Sequence, residues 1–217
     1  MPGRVYPEAI RLAVACETPP TLLSKLLERQ RAEEPETPIL LSEVSSAGLV
    51  LGLKEGRFDA GLTLTPFKEA PLQTKVLWRD DLVVALPMRS PLLGRARIPL
   101  DEIAEYPLVM LCCDCRKGIN PPVEELLRDL KKPINIIQYV RSFELMIVLV
   151  AAGYGVAFGG RSRFDASSSW NIVTRPLAGP PRALTTHLIY NDELPSPRLY
   201  RFARRAAVVQ GDDARQG

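Results

Sequence analysis

With 217 residues, 46% of them hydrophobic, the chain has ample material for one large core or two small ones, and disorder is excluded except at its ends. The net charge is only +3, from 28 basic and 25 acidic residues that are interspersed, which excludes the concentrated basic face a phosphate-backbone binder needs. No apolar run approaches a membrane span, and Met1-Pro-Gly-Arg lacks the apolar core of a signal peptide, so the expected location is the cytoplasm.

From residue 10 to 67 the pattern alternates strand and helix. Ile10–Ala15 is an apolar run that reads as a strand, and Cys16-Glu17-Thr18-Pro19-Pro20 is the turn after it. The two prolines preset φ for a helix start, and Thr18 is in place to cap it. The helix over 21–34 carries Leu22, Leu23, Leu26 and Leu27 on one stripe, the pattern of a helix lying on a sheet, and Pro35 ends it. A second strand, Ile39–Val44, runs into Ser45-Ser46 and a second helix with Leu49, Val50, Leu51 and Leu53. A third strand, over 62–65, follows Gly56 to Gly61. Strands joined by helices run parallel, so their carboxyl ends share one edge of the sheet. Thr18, Ser46 and Thr65 all fall just past those ends, where open α/β sheets take up small molecules.

Over 75–86 two apolar strand segments flank Arg79-Asp80-Asp81, which reads as a turn. A Pro- and Gly-bearing passage over 88–99 reads as the crossing into a second lobe. There the order is a short helix over 100–105, a strand over 106–111, a loop over 112–118, a helix over 121–130 and a strand over 134–140. Arg141-Ser142-Phe143 forms the next turn. Residues 144–152 are apolar nearly all round, which predicts a helix buried on both sides, stopped by Gly153 and followed by a short buried strand over 155–158. The return path runs through 170–177 and a strand over 183–190 to a final helix over 197–208; residues 209–217 read as a disordered tail. Arg201, Arg204 and Arg205 read as a solvated helix face.

Three phrases carry a family resemblance: Leu53-Lys-Glu-Gly-Arg-Phe-Asp-Ala-Gly-Leu62; Asp81-Leu-Val-Val-Ala-Leu-Pro87 followed by Ser90-Pro91-Leu92; and Leu149-Val-Ala-Ala-Gly-Tyr-Gly-Val-Ala157. In their order and spacing, the chain over 8–205 resembles the effector-binding domain of the LysR-type transcriptional regulators. The resemblance implies an α/β fold of two Rossmann-like lobes joined by two hinge crossovers, the type 2 periplasmic-binding-protein fold. Lobe I would comprise 8–86 plus 181–208, and lobe II 87–180. It implies a small polar or anionic effector held in the cleft between the lobes, at Glu17, Thr18, Ser46 and Thr65 from the first and Ser142 and Phe143 from the second. Glu17 departs from the small polar or neutral residue usual at its position. Arg116 is assigned as a counter-ion. The family further implies a homodimer or homotetramer, in which the helix over 21–34 of one subunit meets the helix over 121–130 of the other. DNA would be reached only through an N-terminal DNA-binding domain absent from this chain.

Catalytic chemistry finds little support. His187 is the only histidine and falls mid-strand, Gly-x-Ser-x-Gly is absent, and the glycines at 153, 155, 159 and 160 do not match a dinucleotide fingerprint. The expectation is a protein that is not an enzyme, with no cofactor, no metal and no membrane partner. Of the four cysteines, three crowd at Cys112, Cys113 and Cys115, which is no spaced disulfide framework and suits a reducing compartment. Arg116 and Lys117 lower the thiol pKa of their neighbours, so a redox sensor acting through Cys113 and Cys115 is one alternative reading. A solute-binding protein serving a transporter is the other.

Overall fold

The structure, a computed structural model, describes residues 9–112, 121–128, 130, 132–167, 170–193 and 196–213. In chain order its elements are β1 (Ile10–Ala15), α1 (Pro20–Glu33), β2 (Ile39–Val44), α2 (Ser46–Lys54), β3 (Ala60–Thr63), β4 (Leu72–Pro87), α3 (Leu100–Ile103) and β5 (Leu108–Leu111). They continue with α4 (Pro121–Arg128), β6 (Ile136–Val140), α5 (Phe143–Ala151), β7 (Ala157–Gly160), α6 (Arg161–Asp165), β8 (Ile172–Pro176), β9 (Ala183–Asn191) and α7 (Pro197–Asp213). The chain divides into two compact units: unit 1 runs to Trp78 and resumes at Thr185, and unit 2 is Arg79–Leu184. Both boundaries fall inside strands, β4 and β9, which are hydrogen-bonded neighbours.

In unit 1, β2, β1 and β3 run parallel as the strand–helix alternation predicts, and β9 lies antiparallel to β3. Side chains alternate across the sheet. Leu12, Leu62 and Leu188 therefore share one face with Leu26 of α1 and Phe202 of α7, while Ala13 and Ile189 share the other with Leu49 and Leu53 of α2. Gly61 is needed on that second face, because a Cβ there would collide with Leu49. Trp78 is fully buried in the first core, and its indole N–H donates to the Ala206 carbonyl at 2.8 Å.

Of the α7 arginines, Arg204 is exposed as expected, but Arg201 and Arg205 form a clamp. Arg201 and Arg205 both reach Glu34, which sits just past α1 with only 4% of its side chain exposed. Arg205 also holds Gln30 at 2.9 Å and Glu33 at 2.8 Å. The two guanidinium groups, Arg201 foremost, hold the Glu34 carboxyl at about 2 against an ordinary 4.5. This clamp ties α7 to α1, and α7 runs on to Asp213 with Val209 buried, so the tail expected from 209 is helical as far as 213.

In unit 2, β5 and β6 are parallel, and β4 is flanked by β7 and β8, both antiparallel to it. The expected turn at Arg79-Asp80-Asp81 does not form: β4 is a single strand of 16 residues. Asp80 is buried there and accepts from the Ser162 backbone N–H at 3.1 Å and from its hydroxyl at 2.7 Å. An acidic pair that looks like turn chemistry is thus one outward residue, Asp81, and one inward residue that caps α6 from a distance. Burial pushes the Asp80 carboxyl up, against the lowering effect of those two bonds. The core of the unit joins Val83, Val109, Phe143, Ile147, Val150 and Phe164. α5 is not buried on both sides, since Leu145 and Val148 are exposed.

Candidate functional site

The carboxyl edge of β1, β2 and β3 in unit 1 gathers hydroxyls and free amides. Thr18 does not cap α1: the residue before that helix is Pro19, with no side-chain cap bond. Thr18 is buried instead, and its hydroxyl donates to the Leu62 carbonyl at 3.3 Å, tying the first turn to β3. Ser45 caps α2 by accepting from the Gly48 N–H at 3.2 Å. Ser46, the first residue of the helix, is free to turn its hydroxyl to Thr63 at 2.9 Å. Thr63 Oγ1 in turn accepts from the Thr65 N–H at 3.1 Å. Among the described residues the Ser46 and Ala47 N–H groups have no acceptor, so the positive end of α2 opens beside this hydroxyl pair.

Sequence reasoning did not single out Thr63, and it placed His187 only as a mid-strand histidine. Thr63 lies inside β3 and pairs in register with His187 of β9. Their neighbours Leu62 and Leu188 point into the core under α1 and α7, so Thr63 and His187 stand side by side on the α2 face. His187 is 9% exposed, and its Nδ1 is buried without a hydrogen-bond partner among the described residues. Burial lowers its pKa, opposed by the nearby backbone of Thr63, Leu64 and Thr185. The signal was available only as strand register: four residues of β9 had to be matched to β3 to place the histidine next to the threonine.

The remaining expected residues fall as follows. Glu17 is half-buried and Thr65 partly exposed, both at the unit 1 edge. In unit 2, Ser142 caps α5, accepting from the Leu145 N–H at 3.0 Å, and is exposed. The Phe143 ring is buried, 5.3 Å from the Phe164 ring, with the Arg163 guanidinium 4.2 Å from its centroid, so this side chain serves the core. Arg116, Cys113 and Cys115 lie outside the described residues. Cys112 is buried and outside any disulfide, whereas Cys16 is disulfide-bonded, a departure from the expectation that the cysteines form no disulfide framework and suit a reducing compartment. No helix among the described residues is long and apolar enough to cross a membrane.

A divided α/β chain with a hydroxyl-lined strand edge of this kind has close counterparts in fold among solved structures. The effector-binding domain of BenM from Acinetobacter baylyi, determined with its effector benzoate, superposes with a TM-score of 0.83 at 21% identity, covering 95% of this chain and 93% of that one. The reduced OxyR regulatory domain from Pseudomonas aeruginosa gives 0.78 at 23% identity, covering 95% and 99%. The LysR substrate binding domain family model matches residues 6–208, and the chain belongs to that family. It is also 32% identical over 139 residues to a probable cat1 operon transcriptional activator from Acinetobacter lwoffii, a match that covers 63% of this chain but 44% of that protein. The fold is thus the type 2 periplasmic-binding fold, and the chain is the effector-binding domain of a LysR-type regulator.

Proposed function

We propose that this domain senses a small metabolite bearing a carboxylate or similar polar group, which docks at the carboxyl edge of β1–β3 in unit 1. The observation that carries the reading is the Ser46–Thr63–Thr65 set at the open N-terminus of α2, which supplies hydroxyls and unpaired N–H groups to one anionic group. Benzoate, the effector of BenM, is such a molecule. Binding would alter the assembly of a homodimer or homotetramer in the cytoplasm, whose DNA-binding part lies outside this chain. The domain performs no catalysis in this scheme, and Ser142 belongs to the effector contacts of unit 2. A thermal-shift screen of small carboxylates tests it. At least one should raise Tm by a few degrees in the parent protein but not in Ser46→Ala, with Ser142→Ala weakened; a hit that survives Ser46→Ala removes the assignment.

The disulfide at Cys16 favours a second reading, in which thiol oxidation is the signal. Peroxide should then change thiol count and oligomeric state together, and a Cys113→Ser, Cys115→Ser double variant that still responds would end that reading.

A further inference from the structure

Unit 2 holds a concave pocket of about 500 Å³ that the proposed function does not use. It lies at the start of β5 and the end of α5, so it is distant in the topology from the carboxyl edge of unit 2's own parallel pair, β5 and β6. Its walls are mostly apolar: Pro87, Met88, Pro91, Pro107 and Val156, with Tyr106 beside them. Gly155 is part of the floor and must be glycine, because a Cβ there would overlap the Pro107 carbonyl oxygen. Gly153, at φ +81, lets the chain turn out of α5 directly into this wall.

Two opposite charges meet in that apolar setting. Ala151 and Ala152, the last turn of α5, line the pocket, and among the described residues neither carbonyl receives a hydrogen bond. The preceding carbonyls of Val148, Leu149 and Val150 are already taken by Ala152, Tyr154 and Gly153 N–H groups. The negative end of the helix is therefore presented to the pocket through the two free oxygens, which suits an ammonium group. Arg89 also lines the pocket and is exposed, with no ion pair among the described residues, which suits a carboxylate.

We infer that this pocket binds a zwitterionic α-amino acid with an apolar side chain. The ammonium group meets the α5 carbonyls, the carboxylate meets Arg89, and the side chain lies along the proline-rich wall. The volume accommodates a side chain as large as an aromatic ring. A purely anionic ligand would leave the helix end unmatched, and a purely cationic one would face Arg89.

Isothermal titration of the 217-residue protein with L-phenylalanine tests the assignment, with N-acetyl-L-phenylalanine and L-phenylalanine amide each removing one charge. Expected is binding of the free amino acid, weakened at least about tenfold by Arg89→Gln and by either blocked analogue, and unchanged in Ser46→Ala. Retained binding in Arg89→Gln, equal binding of the blocked analogues, loss of binding in Ser46→Ala, or no heat from L-phenylalanine or L-leucine at millimolar concentration each overturns it. Arg89 is exposed and has no ion pair among the described residues, so its replacement should leave the fold intact, and an unchanged Tm for the variant checks this.

Discussion

Glu34 and Asp80 are both buried carboxyls, and pH acts on them in opposite directions. Glu34 is held at about 2 in the folded protein against 4.5, chiefly by Arg201, so its contribution is complete above about 4.5 and is lost as pH falls toward 2. Glu34→Gln should cost on the order of 2 kcal/mol at neutral pH and flatten the acid limb of the stability curve measured by urea unfolding. Asp80 titrates above its ordinary 3.8 because burial disfavours its charge, so its ionisation weakens folding as pH rises through that range. Asp80→Asn keeps an acceptor for the Ser162 N–H and should be near neutral in Tm, whereas Asp80→Ala strands that N–H and should cost about 1–3 kcal/mol. His187 is a third case: its folded pKa lies below 6.5, so the stability gained by burying the neutral ring is lost as pH falls through 6.5, and its NMR titration midpoint should sit lower than that of a free imidazole. None of these roles was legible in the sequence. Asp80 and Ser162 are 82 positions apart, and Arg201 and Glu34 are 167 apart, so composition around either residue says nothing of its partner.

At the scale of elements, the sequence was most informative where a local rule suffices. The parallel order of β1, β2 and β3 follows from the helices that join them, and it places Thr18, Ser46 and Thr65 at one edge before any coordinate is known. It misled where two local rules competed. Arg79-Asp80-Asp81 has turn composition, yet the alternation of buried Trp78 and Asp80 with exposed Arg79 and Asp81 is strand periodicity, and burial decided for one long strand. α5 looked apolar all round because Leu145 and Val148 are apolar, but apolar composition does not ensure cover. Gly155 marks a tight approach of the segment before β7 to the residue before β5. Gly155→Ala should lower stability by about 2 kcal/mol, read as a fall in Tm, while Gly56→Ala, which meets no atom but sits at φ +68, should cost less than that.

For the whole molecule, β2 is an edge strand that exposes Leu40 and Leu41, a surface suited to a second copy under the proposed assembly. Leu41→Lys should shift sedimentation toward monomer across a concentration series; a parent protein that is monomeric at every micromolar concentration would refute the assembly. The boundaries of the two compact units fall within β4 and β9, which continue as strands through both and offer no break in composition. Chain order adds a temporal constraint. Arg79–Leu184 is one continuous stretch, whereas unit 1 waits for β9 and for the α7 residues that clasp Glu34 and Trp78. A ribosome therefore finishes the inner unit first and leaves the outer one gaping for the seconds that the last segment takes to emerge. A nascent chain halted once Leu184 has cleared the exit tunnel should accordingly present a protease-resistant middle and a digestible beginning.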